Sequence, residues 1–141
     1  MSHWTYVSAV LEVHTFPFVK FSDIDEVSDK LKLICSLHPL TGSEDIATIY
    51  VNTPKSSNIS QYEHGEWSEL CDYVYLIIVG ALCDRKIEET IEEFIKFIDA
   101  LEKEHFYVHT FTSVGIIKDG EESVDIIKLL EDRENEREKK S

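Results

Sequence analysis

The chain has 141 residues, 43% of them hydrophobic and 11% aromatic, and 28 acidic side chains against 14 basic ones give a formal net charge of −14. Such a length and apolar content describe one domain that can bury its own core without a disulfide or metal staple. The charge argues against direct binding to DNA, RNA or an anionic membrane face, where Lys and Arg must neutralise phosphates, and favours a partner with a basic surface.

The longest apolar run, Val74 to Leu82, falls well short of the roughly 20 residues of a membrane span, and Met1-Ser2-His3-Trp4 opens no basic leader. A soluble, cytoplasmic protein with no membrane partner is therefore expected. Cys35, Cys71 and Cys83 stand in apolar surroundings with no C-x-x-C pair. They read as buried thiols of a reducing compartment.

Residues 3–14 are rich in β-branched and aromatic side chains in near alternation, which predicts a long strand with one buried face. Ser22-Asp23-Ile24-Asp25 resembles a capping box, and Ile24, Val27, Leu31, Ile34, Cys35 and His38 then share one helical face that ends before Pro39. His38 suits a helix end, where a cation meets the negative end of the dipole. Gly42-Ser43-Glu44 predicts a turn, and residues 46–51 a second strand running toward Pro54.

Residues 52–68 have no steady period and concentrate polar, Pro and Gly residues, so a long loop is expected. The run from Leu70 to Leu82 reads as a central strand buried on both faces, in which Gly80 allows a bulge or close packing. Ile87, Ile91, Phe94, Ile95, Ile98 and Leu101 trace a helical stripe between Lys86 and Glu104. Residues 106–117 return to strand character, and Lys118-Asp119-Gly120-Glu121 predicts a hairpin turn using positive φ at Asp-Gly. Residues 123–129 fit a short fifth strand or a helical start. Residues 130–141 alternate in charge without an apolar stripe, as a solvated helical tail or a disordered one does.

This order predicts an α+β fold of the ferredoxin-like, split βαβ kind: a sandwich of an antiparallel sheet with two helices on one face. The expected organisation is one domain over 1–129 followed by a charged tail over 130–141.

No catalytic constellation emerges. The chain has no G-x-S-x-G elbow, P-loop or G-x-G-x-x-G, and its cysteines lack a His at a family spacing. His105 and His109 are four apart, but along a strand that spacing separates side chains by about 13 Å, too far to share one zinc. His3 and His14 lie farther apart still. No catalytic residue, metal ligand or cofactor is assigned. Exposed carboxylate pairs such as Glu63/Glu66 or Glu88/Glu92 keep near-normal pKa values and make poor general acids.

Two surfaces remain. Between Asp84 and Glu104 acids outnumber bases, and Glu88/Glu92 and Glu89/Glu93 form like-charge i,i+4 pairs that weaken a helix by a few tenths of a kcal/mol each. Glu88, Glu89, Glu92 and Glu93 thus mark a candidate partner-binding face that steers toward a basic groove, against the commoner alternative of a solvated helix face. The second surface is the sheet: Trp4, Tyr6, Tyr73, Tyr75, Tyr107 and His109, under a loop carrying Tyr62, His64 and Trp67, fit a ligand or partner site. A homodimer interface is the alternative use of those aromatics.

At Ser2-His3-Trp4-Thr5-Tyr6-Val7 and Leu40-Thr41-Gly42-Ser43-Glu44 the chain resembles a group of small, mostly uncharacterised bacteriophage proteins. These open with a Trp-Thr-His/Tyr-Val strand and carry a Gly-Ser-Glu turn. The resemblance implies a phage origin and an α+β sandwich, and it supplies no catalytic residue. By analogy it points to a non-catalytic inhibitor of a host protein, a defence or nucleic-acid-processing factor, acting through an acidic surface. The alternatives are a small-molecule binder that sequesters a nucleotide signal, with Lys20, Lys55 and Arg85 as its only plausible cations, and an enzyme of unassigned class.

Overall fold

The structure, a computed structural model, describes residues 3–15, 24–53 and 73–140. Its elements are β1 (Trp4–Thr15), α1 (Ile24–Leu37), β2 (Thr48–Asn52), β3 (Tyr73–Cys83), α2 (Ile87–Lys103), β4 (Phe106–Val108), β5 (Val114–Lys118), β6 (Ser123–Asp125) and α3 (Ile126–Lys140).

The strands form one open antiparallel sheet in the order β2-β3-β1-β5-β6, with β4 also paired to β1. β1 lies at its centre because period-2 alternation gives it one buried, largely apolar face: Thr5, Val7, Ala9, Leu11 and Val13 are buried, while Trp4, Tyr6, Ser8 and Val10 are exposed. β3 runs beside it over Trp4↔Cys83 to His14↔Tyr73 and buries Val74, Leu76, Ile78 and Leu82 on the same side. All the helices of the described residues cover that side, and Phe94, Phe97 and Phe106 fill the space between the layers. Gly80 is required for close approach, since a Cβ there would stand 2.9 Å from the Cα of buried Ala47.

The α+β architecture with its antiparallel sheet is as expected, but the described residues hold three helices where two were expected on the sheet. Residues 123–129 are both of the alternatives in succession, a short strand and a helix start. The rest of the tail continues as helix α3 because it is tied down: Ile126 and Leu130 are buried, and Arg133 and Arg137 each pair with both Asp99 and Glu102 of α2. Opposite charges placed on two adjoining helices supply what a missing apolar stripe did not.

The α2 face is wider than its isoleucine stripe, burying Thr90 and Phe97 with Ile87, Phe94, Ile98 and Leu101. The strand expected over 106–117 is two strands, β4 and β5, which share one edge of β1 at Val13–Thr15 and Tyr6–Val10 and are separated by a turn at 110–112. The hairpin joining β5 to β6 is present without the positive φ expected at Asp119-Gly120. The Asp119 carboxylate shapes it instead, accepting the N–H groups of Glu121 and Glu122 at 2.9 and 2.7 Å.

Candidate functional site

The polar side chains of the uncovered sheet face gather where β1 runs from β5 to β4. Glu12 and His14 are two apart on β1 and project to the same side, Tyr75 stands opposite Glu12 on β3, and Tyr107 opposite His14 on β4. His109 follows β4 directly, and its N–H donates to the Glu12 carbonyl at 2.8 Å. The Glu12 N–H in turn donates to the Ser113 hydroxyl at 2.9 Å, and that hydroxyl donates to the His109 carbonyl at 2.7 Å. Both backbone groups of Glu12 are thereby held by the turn that interrupts the strand, and the turn delivers His109 to Glu12.

The Glu12 side chain is only 12% exposed, so its carboxylate must be satisfied from within. Tyr75 Oη donates to its Oε1 at 2.9 Å, while His14 Nε2 and Thr112 Oγ1 both stand 2.8 Å from Oε2. His109 Nδ1 lies 3.1 Å from Thr112 Oγ1 and 3.7 Å from the same Oε2. Burial pushes this carboxyl up, but the hydrogen bonds from His14, Thr112 and Tyr75 outweigh it and hold the group below the ordinary carboxylate range. The His14 ring is set between Tyr107 and His109, with centroids 5.5 and 5.1 Å away. Three possible ligand atoms, one each from Glu12, His14 and His109, lie within 4.8 Å of one another.

Sequence reasoning paired His109 with His105 and missed this group. His105 is exposed in the turn before β4, whereas His14 reaches His109 across the β1–β4 pairing. The legible signal is Glu12-x-His14, two polar groups at strand spacing on a face that is otherwise apolar.

The four glutamates of α2 divide into two kinds. Glu93 accepts the Thr41 N–H at 3.2 Å and the Thr41 hydroxyl at 2.9 Å, which anchors the segment before β2. Glu89 accepts from Arg85 at 2.6 Å and from the Lys86 N–H at 3.3 Å, and these bonds hold its carboxyl below the ordinary range. Glu88 and Glu92 face solvent; Glu92 has Lys96 4.0 Å away. Glu88 and Glu92 are thus the more open of the four, and Glu89 and Glu93 are engaged by neighbouring groups.

Glu88 also lines a shallow groove of about 460 Å3 at the opposite end of β1 from Glu12. His3, the turn Asp84-Arg85-Lys86, Glu89 and the hairpin residues Asp119, Glu121 and Glu122 complete it. Arg85 is committed, donating to the Thr41 carbonyl and hydroxyl at 2.8 and 2.7 Å besides Glu89. Glu88, Glu121 and Glu122 make no ion pair among the described residues.

The aromatic residues expected to form one sheet site are split along β1. Tyr75, Tyr107 and His109 meet around Glu12 and His14, whereas Trp4 and Tyr6 lie toward the groove end, opposite Cys83 and Ala81. Between them the face is apolar and uncovered by any described residue, with Val10, Tyr50, Val79, Val114 and Ile116 exposed. Tyr62, His64, Trp67, Lys20, Lys55 and Cys71 lie outside the described residues. Cys35 and Cys83 are free thiols. No described helix is long and apolar enough to cross a membrane.

In comparison with known proteins, no family model, curated protein or solved structure matches this chain.

Proposed function

We propose that the chain is a non-catalytic binding protein that docks a basic protein surface into the acidic groove at the start of α2. The observation that carries this reading is the convergence of Asp84, Glu88, Glu121 and Glu122 on one concavity whose arginine is already engaged by Thr41 and Glu89. In a chain of net charge −14 such a groove concentrates the negative field where a Lys or Arg side chain can enter. On this reading the steering charges are Glu88 and the glutamates of the β5–β6 hairpin, and Glu89, Glu92 and Glu93 of α2 add to the field around them. The resemblance to small phage proteins favours a host protein as the partner, a defence or nucleic-acid-processing factor with a basic surface. That setting is cytoplasmic. The strand order β2-β3-β1 followed by β4 and β5 supports reading the core as a ferredoxin-like split βαβ unit, to which β6 and α3 are additions.

The test is fluorescence anisotropy of a labelled oligo-arginine peptide at low and high salt. Glu88→Lys with Glu121→Lys and Glu122→Lys should weaken binding about tenfold more than Glu131→Lys with Glu134→Lys and Glu136→Lys, which changes net charge equally. Equal losses would reduce the groove to bulk charge and sink the reading.

A second reading is favoured by the exposed apolar face: a small ligand, or a second copy of the chain, set against Tyr50, Val79 and Val114. A nucleotide fits it less well, since Arg85 serves Thr41 and Glu89 at the other end of β1.

A further inference from the structure

We infer that Glu12, His14 and His109 form a binding site for one divalent transition-metal ion of the zinc class, independent of the acidic groove. Imidazole nitrogen and carboxylate oxygen are the donors such ions take, and two His with one carboxylate is a recurrent three-ligand set. Here the set is assembled by a single device. The turn at 110–112, fastened through Glu12 and Ser113, brings His109 Nδ1 to 3.7 Å from the carboxylate oxygen that His14 Nε2 already approaches to 2.8 Å.

Ligands bonded to zinc at about 2.0–2.2 Å stand roughly 3.3 Å from one another in a tetrahedron. The spacings in the cluster lie on both sides of that value, and all are under 4.8 Å. Small rotations of the two rings bring the three donors onto one ion. Each neutral imidazole then carries its proton on its other nitrogen, and the carboxylate supplies the negative charge.

The surroundings fit the role. Tyr75 and Thr112 hydrogen-bond the carboxylate and fix its orientation, and Tyr107 backs the His14 ring, as outer-shell partners of metal ligands do. The His109 side chain is 39% exposed on the sheet face that no described residue covers, which leaves an approach for an ion and its remaining water or ligand. Three protein ligands leave one position on the ion for water or an added ligand.

The experiment titrates the untagged full chain with Co2+, read by its visible ligand-field absorption, and then displaces Co2+ with Zn2+. One equivalent should bind with the intensity of a four- or five-coordinate ion. His109→Ala and Glu12→Gln should abolish that signal, Thr112→Val should weaken it about tenfold, and His38→Ala should leave it unchanged. His109 is accessible enough for His109→Ala to fold, which far-UV circular dichroism checks. Absence of a Co2+ spectrum in the parent chain, or a spectrum that survives His109→Ala, would overturn the assignment.

Discussion

The N–H of Glu12 donates to the hydroxyl of Ser113, 101 positions away in sequence, where an uninterrupted neighbouring strand would have offered a carbonyl. The bond sits where the β1 edge passes from β5 to β4, and it fastens the turn that separates those strands. The residues between them turn outward over Glu12 and His14.

Removing that hydroxyl should therefore be felt at two levels. Ser113→Ala leaves a buried N–H unpaired, at a cost of about 1–3 kcal/mol, which urea unfolding measures. Amide exchange at Glu12 and His109 should accelerate, while Ser113→Thr, which keeps the hydroxyl, restores much of the loss. Unchanged stability in Ser113→Ala would show that water takes over the bond.

Thr90 offers the opposite case. Its side chain is wholly buried in α2 and its hydroxyl has no hydrogen-bond partner among the described residues. Thr90→Val removes the desolvated hydroxyl at almost constant shape, so the chain should gain about 1 kcal/mol. At this chain length that is roughly 3 °C in Tm. A loss of stability would mean that the hydroxyl has a partner in solution.

Acid should unfold the chain from its paired carboxylates. Hydrogen bonds hold Glu89, Glu104 and Asp119 below their ordinary values, through Arg85, Lys30 and the hairpin N–H groups respectively. A depressed folded-state pKa contributes stability that is fully present above the unfolded-state value, about 4 for these groups, and is lost as pH falls through the folded one. Tm should thus be flat from neutrality down to about pH 5 and fall below it. Lys30→Ala, which removes the partner of Glu104 at 2.9 Å, should make the acid limb shallower.

Burial pushes the Cys35 thiol up to about 11. Since the thiolate is the nucleophile, iodoacetamide at pH near 8 should leave Cys35 unmodified in the folded chain and label it on denaturation. Peptide mass spectrometry resolves the site, and rapid native labelling of Cys35 would show that α1 opens readily.

The local pattern of this chain was legible because it depends on neighbours in sequence. Alternation in β1 identified the buried face, the isoleucine spacing identified α2, and the acidic excess was plain from composition. What the sequence could not disclose rests on contacts between distant segments. Arg133 and Arg137 extend α3 only because Asp99 and Glu102 stand on the adjoining helix. Glu93 is engaged only because Thr41, 52 positions away in sequence, meets it. His14 and His109 become neighbours only when β1 pairs with β4 and the Ser113 turn closes on Glu12. Periodicity reports which face a side chain takes, because backbone geometry repeats over two or 3.6 residues. Which residues share that face depends on strand order and register, and those are set when the whole apolar layer is buried at once.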